Sequence, residues 1–157
     1  MMRVIIIGGG ASGLMAAITA ARGGAKVTVL EHQNQVGKKI LVTGNGRCNI
    51  SNKYISMDRY HGENPTFAQK ALEKYDFDKT MEFFKGIGVL PTEREEGKVY
   101  PMSLQAASVV DMLRIEAQRQ GVAEVVDFEV ADIKSSGGKF EIKSMKGQTI
   151  KATKVIL

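Results

Sequence analysis

The chain has 157 residues, 43% of them hydrophobic, 25% charged and 6% aromatic, with a formal net charge of +5. That balance is ordinary for a soluble globular domain and excludes collagen-like, low-complexity and disordered classes. The positive charge favours acidic partners, phosphates above all, but the lysines look scattered and aromatics are few, so a solvated basic surface is expected and no nucleic-acid partner.

Val4 to Ala21 is an uncharged run as long as a membrane helix or signal peptide,. Gly8, Gly9, Gly10, Ser12 and Gly13 interrupt it. The pattern also changes there from β-branched residues to small residues at helical spacing. A strand, a turn and a helix account for all of it, so no membrane segment is expected and the protein is placed in the cytoplasm. The strand is Arg3 to Ile7 (RVIII), suited to burial on both faces of a parallel sheet,. Leu14, Ala17, Ile18 and Ala21 mark the helix, and Lys26 to Leu30 (KVTVL) is a second strand closed by Glu31. Residues 1–31 thus read as a βαβ unit, whose right-handed crossover sets the two strands parallel and adjacent.

Inside it, Gly8, Gly10 and Gly13 form G-x-G-x-x-G. Gly8 permits a tight turn, Gly10 lets a pyrophosphate approach the backbone, and Gly13 lets helix and strand pack closely. Ala11 and Ser12 open the helix, whose first N–H groups and partial positive charge face the phosphates. Glu31 lies where a carboxylate can accept from both hydroxyls of an adenosine ribose, and it would repel a 2′-phosphate. His32 either edges the adenine or is exposed.

A second glycine-rich stretch follows within residues 37–52, "GKKILVTGNGRCNISN". Gly44 and Gly46 allow backbone to come close to a flat ring, and Lys39 and Arg47 can offset ligand charge. Two such turns so near each other suggest a ligand running from one to the other. Arg47 either touches that ligand or braces the loop. Cys48, the one cysteine, forms no internal disulfide; it is either a redox thiol or a small packing residue. Asn49 and Asn52 are expected to hydrogen-bond the loop's own backbone.

Residues 65–101 read as a helical and hairpin insert. Pro65–Tyr75 and Asp78–Lys85 form helices with apolar faces (Phe67, Ala71, Leu72; Met81, Phe84), the second stopped by Gly86. "VLPTEREEGKVYP" folds into a hairpin at Glu95-Glu96-Gly97. His61 lies in a surface loop. Ser103 caps a helix over 104–120 that ends before Gly121, with Val109, Val110, Leu113 and Ile115 in the core. Period-two alternation then predicts a β-meander over 124–157, with turns at Ser135–Gly138 and Lys146–Gln148. No catalytic residue, general base or metal site is assigned.

Three stretches carry a resemblance: Gly37-Lys38-Lys39, Thr43-Gly44-Asn45-Gly46-Arg47-Cys48-Asn49 with Asn52, and "GKVYPMSLQAASVVDML" from Gly97. Together they resemble the signature of the BaiN-like or YhiN-like bacterial NAD(P)/FAD-dependent flavoproteins, also called the aminoacetone-oxidase family. The resemblance implies an α/β, Rossmann-like FAD/NAD(P)-binding domain of glutathione-reductase type, a parallel sheet with helices plus a β-meander. It implies FAD as cofactor: the pyrophosphate on the first turn, the ribose on Glu31, and the flavin half against Lys39, Gly44, Gly46, Arg47, Cys48 and Asn49. The main chain near Val130 would meet the adenine. NAD(P)H is the implied electron donor, and the substrate is an unidentified small molecule. In that family the strand at "KATKVIL" runs on into further segments, a substrate domain and a C-terminal part of the FAD site. The chain is therefore expected to be an N-terminal part that holds FAD weakly and is inactive alone. Two other readings stay open: an NAD-binding dehydrogenase with a structural second loop, and a non-catalytic nucleotide-binding module.

Overall fold

The computed structural model describes all residues, Met1–Leu157. In chain order the elements are β1 (Arg3–Ile7), α1 (Ala11–Arg22), β2 (Lys26–Leu30), β3 (Ser51–Asn52), α2 (Gln69–Lys74), α3 (Phe77–Gly86), β4 (Pro91–Glu93), β5 (Lys98–Pro101), α4 (Ala106–Arg119), β6 (Ala123–Val125), β7 (Val130–Ser136), β8 (Lys139–Ser144), β9 (Thr149–Ala152) and β10 (Lys154–Ile156). The chain divides into two units, Met1–Leu41 with Leu113–Leu157, and Val42–Met112. The second unit is wider than the expected insert at 65–101, because it also takes in the second glycine-rich turn.

In the first unit, a parallel sheet runs in the order β10-β1-β2-β6. Val4 pairs with Val27 and Ile7 with Leu30, as the βαβ reading requires. The β-branched run of β1 buries Val4, Ile5 and Ile6, which suits a central strand covered on both faces,. Helix α1 buries Gly13, Leu14, Ala17 and Ile18. No helix is long and apolar enough to cross a membrane. Beside the sheet, β7-β8-β9 form an antiparallel meander. Ile5 and Leu30 of the sheet cluster with Phe128, Ile142 and Ala152, all fully buried. Burying each larger member of that cluster contributes about 2 kcal/mol.

The meander is shorter than the expected 124–157. Residues Ala123–Val125 and Lys154–Ile156 leave it for the parallel sheet, pairing with β2 and β1. Val126 is exposed while Asp127 takes a left-handed φ of 53°, so the apparent alternation across Val126 and Phe128 is a bend that drives Phe128 inward. "KATKVIL" likewise breaks at Thr153, whose N–H and hydroxyl both donate to the Arg3 carbonyl (2.9 and 2.7 Å).

The second unit holds the antiparallel sheet β3-β5-β4. β4 and β5 form the expected hairpin, turning through Glu95–Gly97 with φ of 58° at Glu96 and 70° at Gly97. Asp76 caps α3 by accepting from the Lys79 N–H (2.9 Å), and that bond draws its carboxyl below the usual range. Several local expectations shift. The helix expected at 65–75 is a 3₁₀ turn over Pro65–Ala68 followed by α2, and Phe67 and Ala71 face solvent. Gly86 lies within α3, and the left-handed residue after that helix is Gly88. Helix α4 starts at Ala106 rather than 104, because Leu104 takes φ +53° while donating to the Pro101 carbonyl (2.8 Å). The Ser103 hydroxyl instead accepts from the Gln105 N–H. Val109, Val110 and Leu113 are buried, but Ile115 is 45% exposed.

Candidate functional site

The first glycine turn is built by two opposing demands, closeness behind it and openness in front. Gly8 sits at φ +97° and donates its N–H to the Leu30 carbonyl (2.8 Å), which ties the turn to the end of β2. A Cβ on Gly13 would lie 1.9 Å from the Gly8 carbonyl oxygen, so only glycine lets α1 pack on the turn. A Cβ on Gly10 would meet nothing within 4 Å. Gly10 is also the N-cap of α1; no side chain caps the helix, and no acid occupies its first turn. Ala11 and Ser12 are exposed there. The amides of that turn therefore face open space with their positive end outward.

Glu31 holds this arrangement together. Its carboxylate is buried and accepts from the Gly9 N–H (2.7 Å) and the Gln33 N–H (2.8 Å), while His32 Nδ1 lies 2.9 Å away. The Glu31 main chain adds two more ties, its N–H to the Val125 carbonyl and its carbonyl from the Phe128 N–H (both 2.9 Å). Gly8, Gly9, Gly10, Glu31, His32, Gln33, Gly37, Lys38 and Lys39 line a groove of about 500 Å³. Gln33 was missed by sequence reasoning, and Gly9, Gly37 and Lys38 stood in the glycine-rich stretches without an assigned role. Gly9 had one signal: three consecutive glycines are more than the motif needs. A Cβ there would fall 2.4 Å from Val36 Cγ1 and 3.2 Å from Glu31 Oε2. His32 is largely exposed, and its Nε2 lies 2.8 Å from Gln33 Nε2. Val130 begins β7, paired with Ser144 and packed against the apolar cluster.

The second turn, in the other unit, is closed by its own packing. Gly44, Asn45, Gly46 and Cys48 all have left-handed φ. A Cβ on Gly44 would lie 2.8 Å from the Asn49 nitrogen and 3.1 Å from Tyr100 Cε1. Cys48 N–H donates to the Thr43 carbonyl (3.0 Å), and Gly46 carbonyl accepts from the Ala106 N–H (2.8 Å) at the start of α4. Arg47 Nε donates to the Gly44 carbonyl (3.2 Å), and its guanidinium lies 5.1 Å from the Tyr100 ring centroid. Cys48 is buried, which pushes its thiol pKa up against the smaller, opposite effect of its hydrogen bond with Thr43. Asn49 is exposed; Asn52 donates to the Glu96 carbonyl (2.9 Å) and accepts from the Tyr54 N–H (2.8 Å). No group of His, Cys, Asp and Glu side chains is arranged to hold a metal.

The parallel sheet, the glycine turn that opens α1 and the acid that closes β2 define an α/β domain of Rossmann type. The chain belongs to the HI0933-like protein Rossmann domain family, whose model matches residues 2–157. It is 46% identical over 159 aligned residues to the 3-dehydro-bile acid delta(4,6)-reductase of Clostridium scindens, covering 100% of this chain and 38% of that protein. It is 28% identical over 153 residues to the ribosomal RNA dihydrouridine synthase of Escherichia coli, covering 98% and 38%. The chain thus spans about two-fifths of the length of these relatives. Among solved structures, Thermovibrio ammonificans THI4 superposes with a TM-score of 0.62 at 17% identity, over 98% of this chain and 55% of that one. CtdE, solved in complex with FAD and a substrate, gives 0.55 at 19%, over 99% and 37%. These structural likenesses concern the fold.

Proposed function

We propose that this chain is the FAD-binding part of a flavin-dependent oxidoreductase that moves hydride between NAD(P)H, FAD and a substrate. The observation that carries the reading is Gly10: a glycine with room for a side chain, at the mouth of an uncapped helix. A glycine kept where the fold does not need one leaves space for a ligand, and the exposed amides suit a diphosphate. A bound flavin supplies hydride transfer at its ring. The main-chain N–H groups of Ala11 and Ser12 hold the diphosphate, and Gly8 and Gly13 keep the turn in shape. Glu31 accepts from the Gly9 N–H at Oε2 and from the Gln33 N–H at Oε1, with His32 Nδ1 also against Oε1, which leaves lone-pair capacity at Oε2 for a ribose hydroxyl,. His32 would edge the adenine, the main chain near Val130 would meet it, and Lys39 would offset phosphate charge. Gly44, Gly46, Arg47, Cys48 and Asn49 serve the flavin half.

The reductase among the relatives and the FAD in the CtdE structure support this reading. The substrate is a small molecule rather than RNA, because the reductase is the more similar relative, at 46% against 28% identity. Cys48, buried as a thiol, suits the reducing cytoplasm. Catalysis needs the remaining three-fifths of the relatives' length.

The test is FAD binding by the 157-residue chain, by a version extended to the relatives' length, and by Gly10→Val in both. Flavin absorbance retained by the extended protein and lowered at least about tenfold by Gly10→Val, with the FAD-free proteins melting at the same temperature, is the expected result. Unchanged retention in Gly10→Val overturns the assignment of the turn. A colourless extended protein that binds NADH favours the dehydrogenase instead.

A further inference from the structure

Arg47, Arg94, Glu95, Lys98, Tyr100 and Leu104 line a cleft of about 420 Å³ in the second unit. Of these, only Arg47 has a place in the cofactor reading. The ion pairs of the hairpin are Lys53–Glu93 (3.1 Å) and Lys98–Glu96 (2.5 Å), and neither involves an arginine. Lys98 is thereby committed to Glu96, which leaves two guanidinium groups sharing one cleft with a single carboxylate, that of Glu95. Arg47 is already held at two points: its Nε donates to the Gly44 carbonyl and its guanidinium carbon lies over the Tyr100 ring. Its terminal amino groups remain for a ligand, in the fork geometry that matches a carboxylate or phosphate. The backbone around the cleft is strained as well. Glu96 (φ 58°), Leu104 (φ 53°) and Cys48 (φ 59°) are left-handed without being glycine, each at a cost of about 1–2 kcal/mol.

We propose that this cleft is an oxyanion subsite in which Arg47 and Arg94 together bind the carboxylate or phosphate group of the substrate. Two unpaired like charges in one cleft repel each other, and an anion between them removes that repulsion. Tyr100 supports the Arg47 guanidinium from one side, and Glu95 limits the site to a single anionic group. Calling the anion a substrate group rests on the proposed function; anion binding itself stands on the residues of the cleft, Arg47 from the glycine turn and Arg94 from the hairpin.

The experiment follows backbone amide shifts of the full chain during separate titrations with inorganic phosphate and with acetate. Amides of Gly44–Cys48 and Arg94–Lys98 are expected to move together. Movement with phosphate alone marks a phosphate site, and movement with acetate marks a carboxylate site. Arg94→Gln, on an exposed side chain, weakens the response about tenfold. Glu95→Gln strengthens it several-fold, and Lys139→Gln, on the meander, leaves it unchanged. No movement with either ion, or an unchanged response in Arg94→Gln, overturns the proposal. Amides of Gly8–Gly13 report the first turn in the same titration, so a failure there counts against the cofactor reading and leaves the cleft standing.

Discussion

The two glycine turns look alike in sequence and differ in what their glycines do. In the first, Gly13 is required by packing and Gly10 is not, since a side chain at Gly10 would project into open space. In the second, Gly44 is walled in by the Asn49 nitrogen and Tyr100. One turn keeps a glycine that the fold could spare; the other keeps a glycine that the fold needs. The empty space beside Gly10 is by itself an argument for a ligand; the walled-in Gly44 is explained by packing, and its place in a ligand site rests on its loop as a whole.

Substitutions at these positions can break that contrast. Gly13→Ala has the largest expected effect, because its Cβ would overlap a backbone carbonyl; a loss of about 3 kcal/mol or more should appear in urea unfolding,. A mild effect would mean that α1 shifts freely on the turn. Gly44→Ala should cost about 2 kcal/mol, from its positive φ and its contact with the Asn49 nitrogen,. Cys48 sharpens the view of the second turn. Because burial raises its pKa, thiolate stays scarce at pH 8 in the native chain. Alkylation there should run at least about tenfold slower than in urea, rising as pH climbs past the ordinary thiol value. Rapid native alkylation at pH 7 would show an exposed thiolate in place of a buried thiol. Gly10→Ala has the smallest expected effect on stability, within about 0.5 kcal/mol in the same unfolding assay. A large loss there would erase the distinction between the turns.

Much of the first turn was legible because its determinants are local. Gly8, Gly10, Gly13 and Glu31 follow a spacing that few other structures require, and the flanking apolar runs differ in period. Glu31 was legible as an acid at the right place but not as the residue that ties Gly9, Gln33 and His32 together. Arg94 and Tyr100 were not legible at all as partners of Arg47, since their meeting depends on the hairpin's register. Leu104 shows the same limit: a good helix former is left outside α4 by the turn it closes with Pro101.

The amino-acid sequence by itself determined the βαβ unit, the hairpin at Glu95–Gly97 and the alternation of β8, because each depends on residues close enough in the chain to set their own φ and ψ. Only the tertiary structure decided that Ala123–Val125 and Lys154–Ile156 complete the parallel sheet. Short apolar runs carry no label for their partner. Pairing Val4 with Lys154 joins residues from opposite ends of the chain, and it is set by where Phe128, Ile142 and Ala152 can be buried together,.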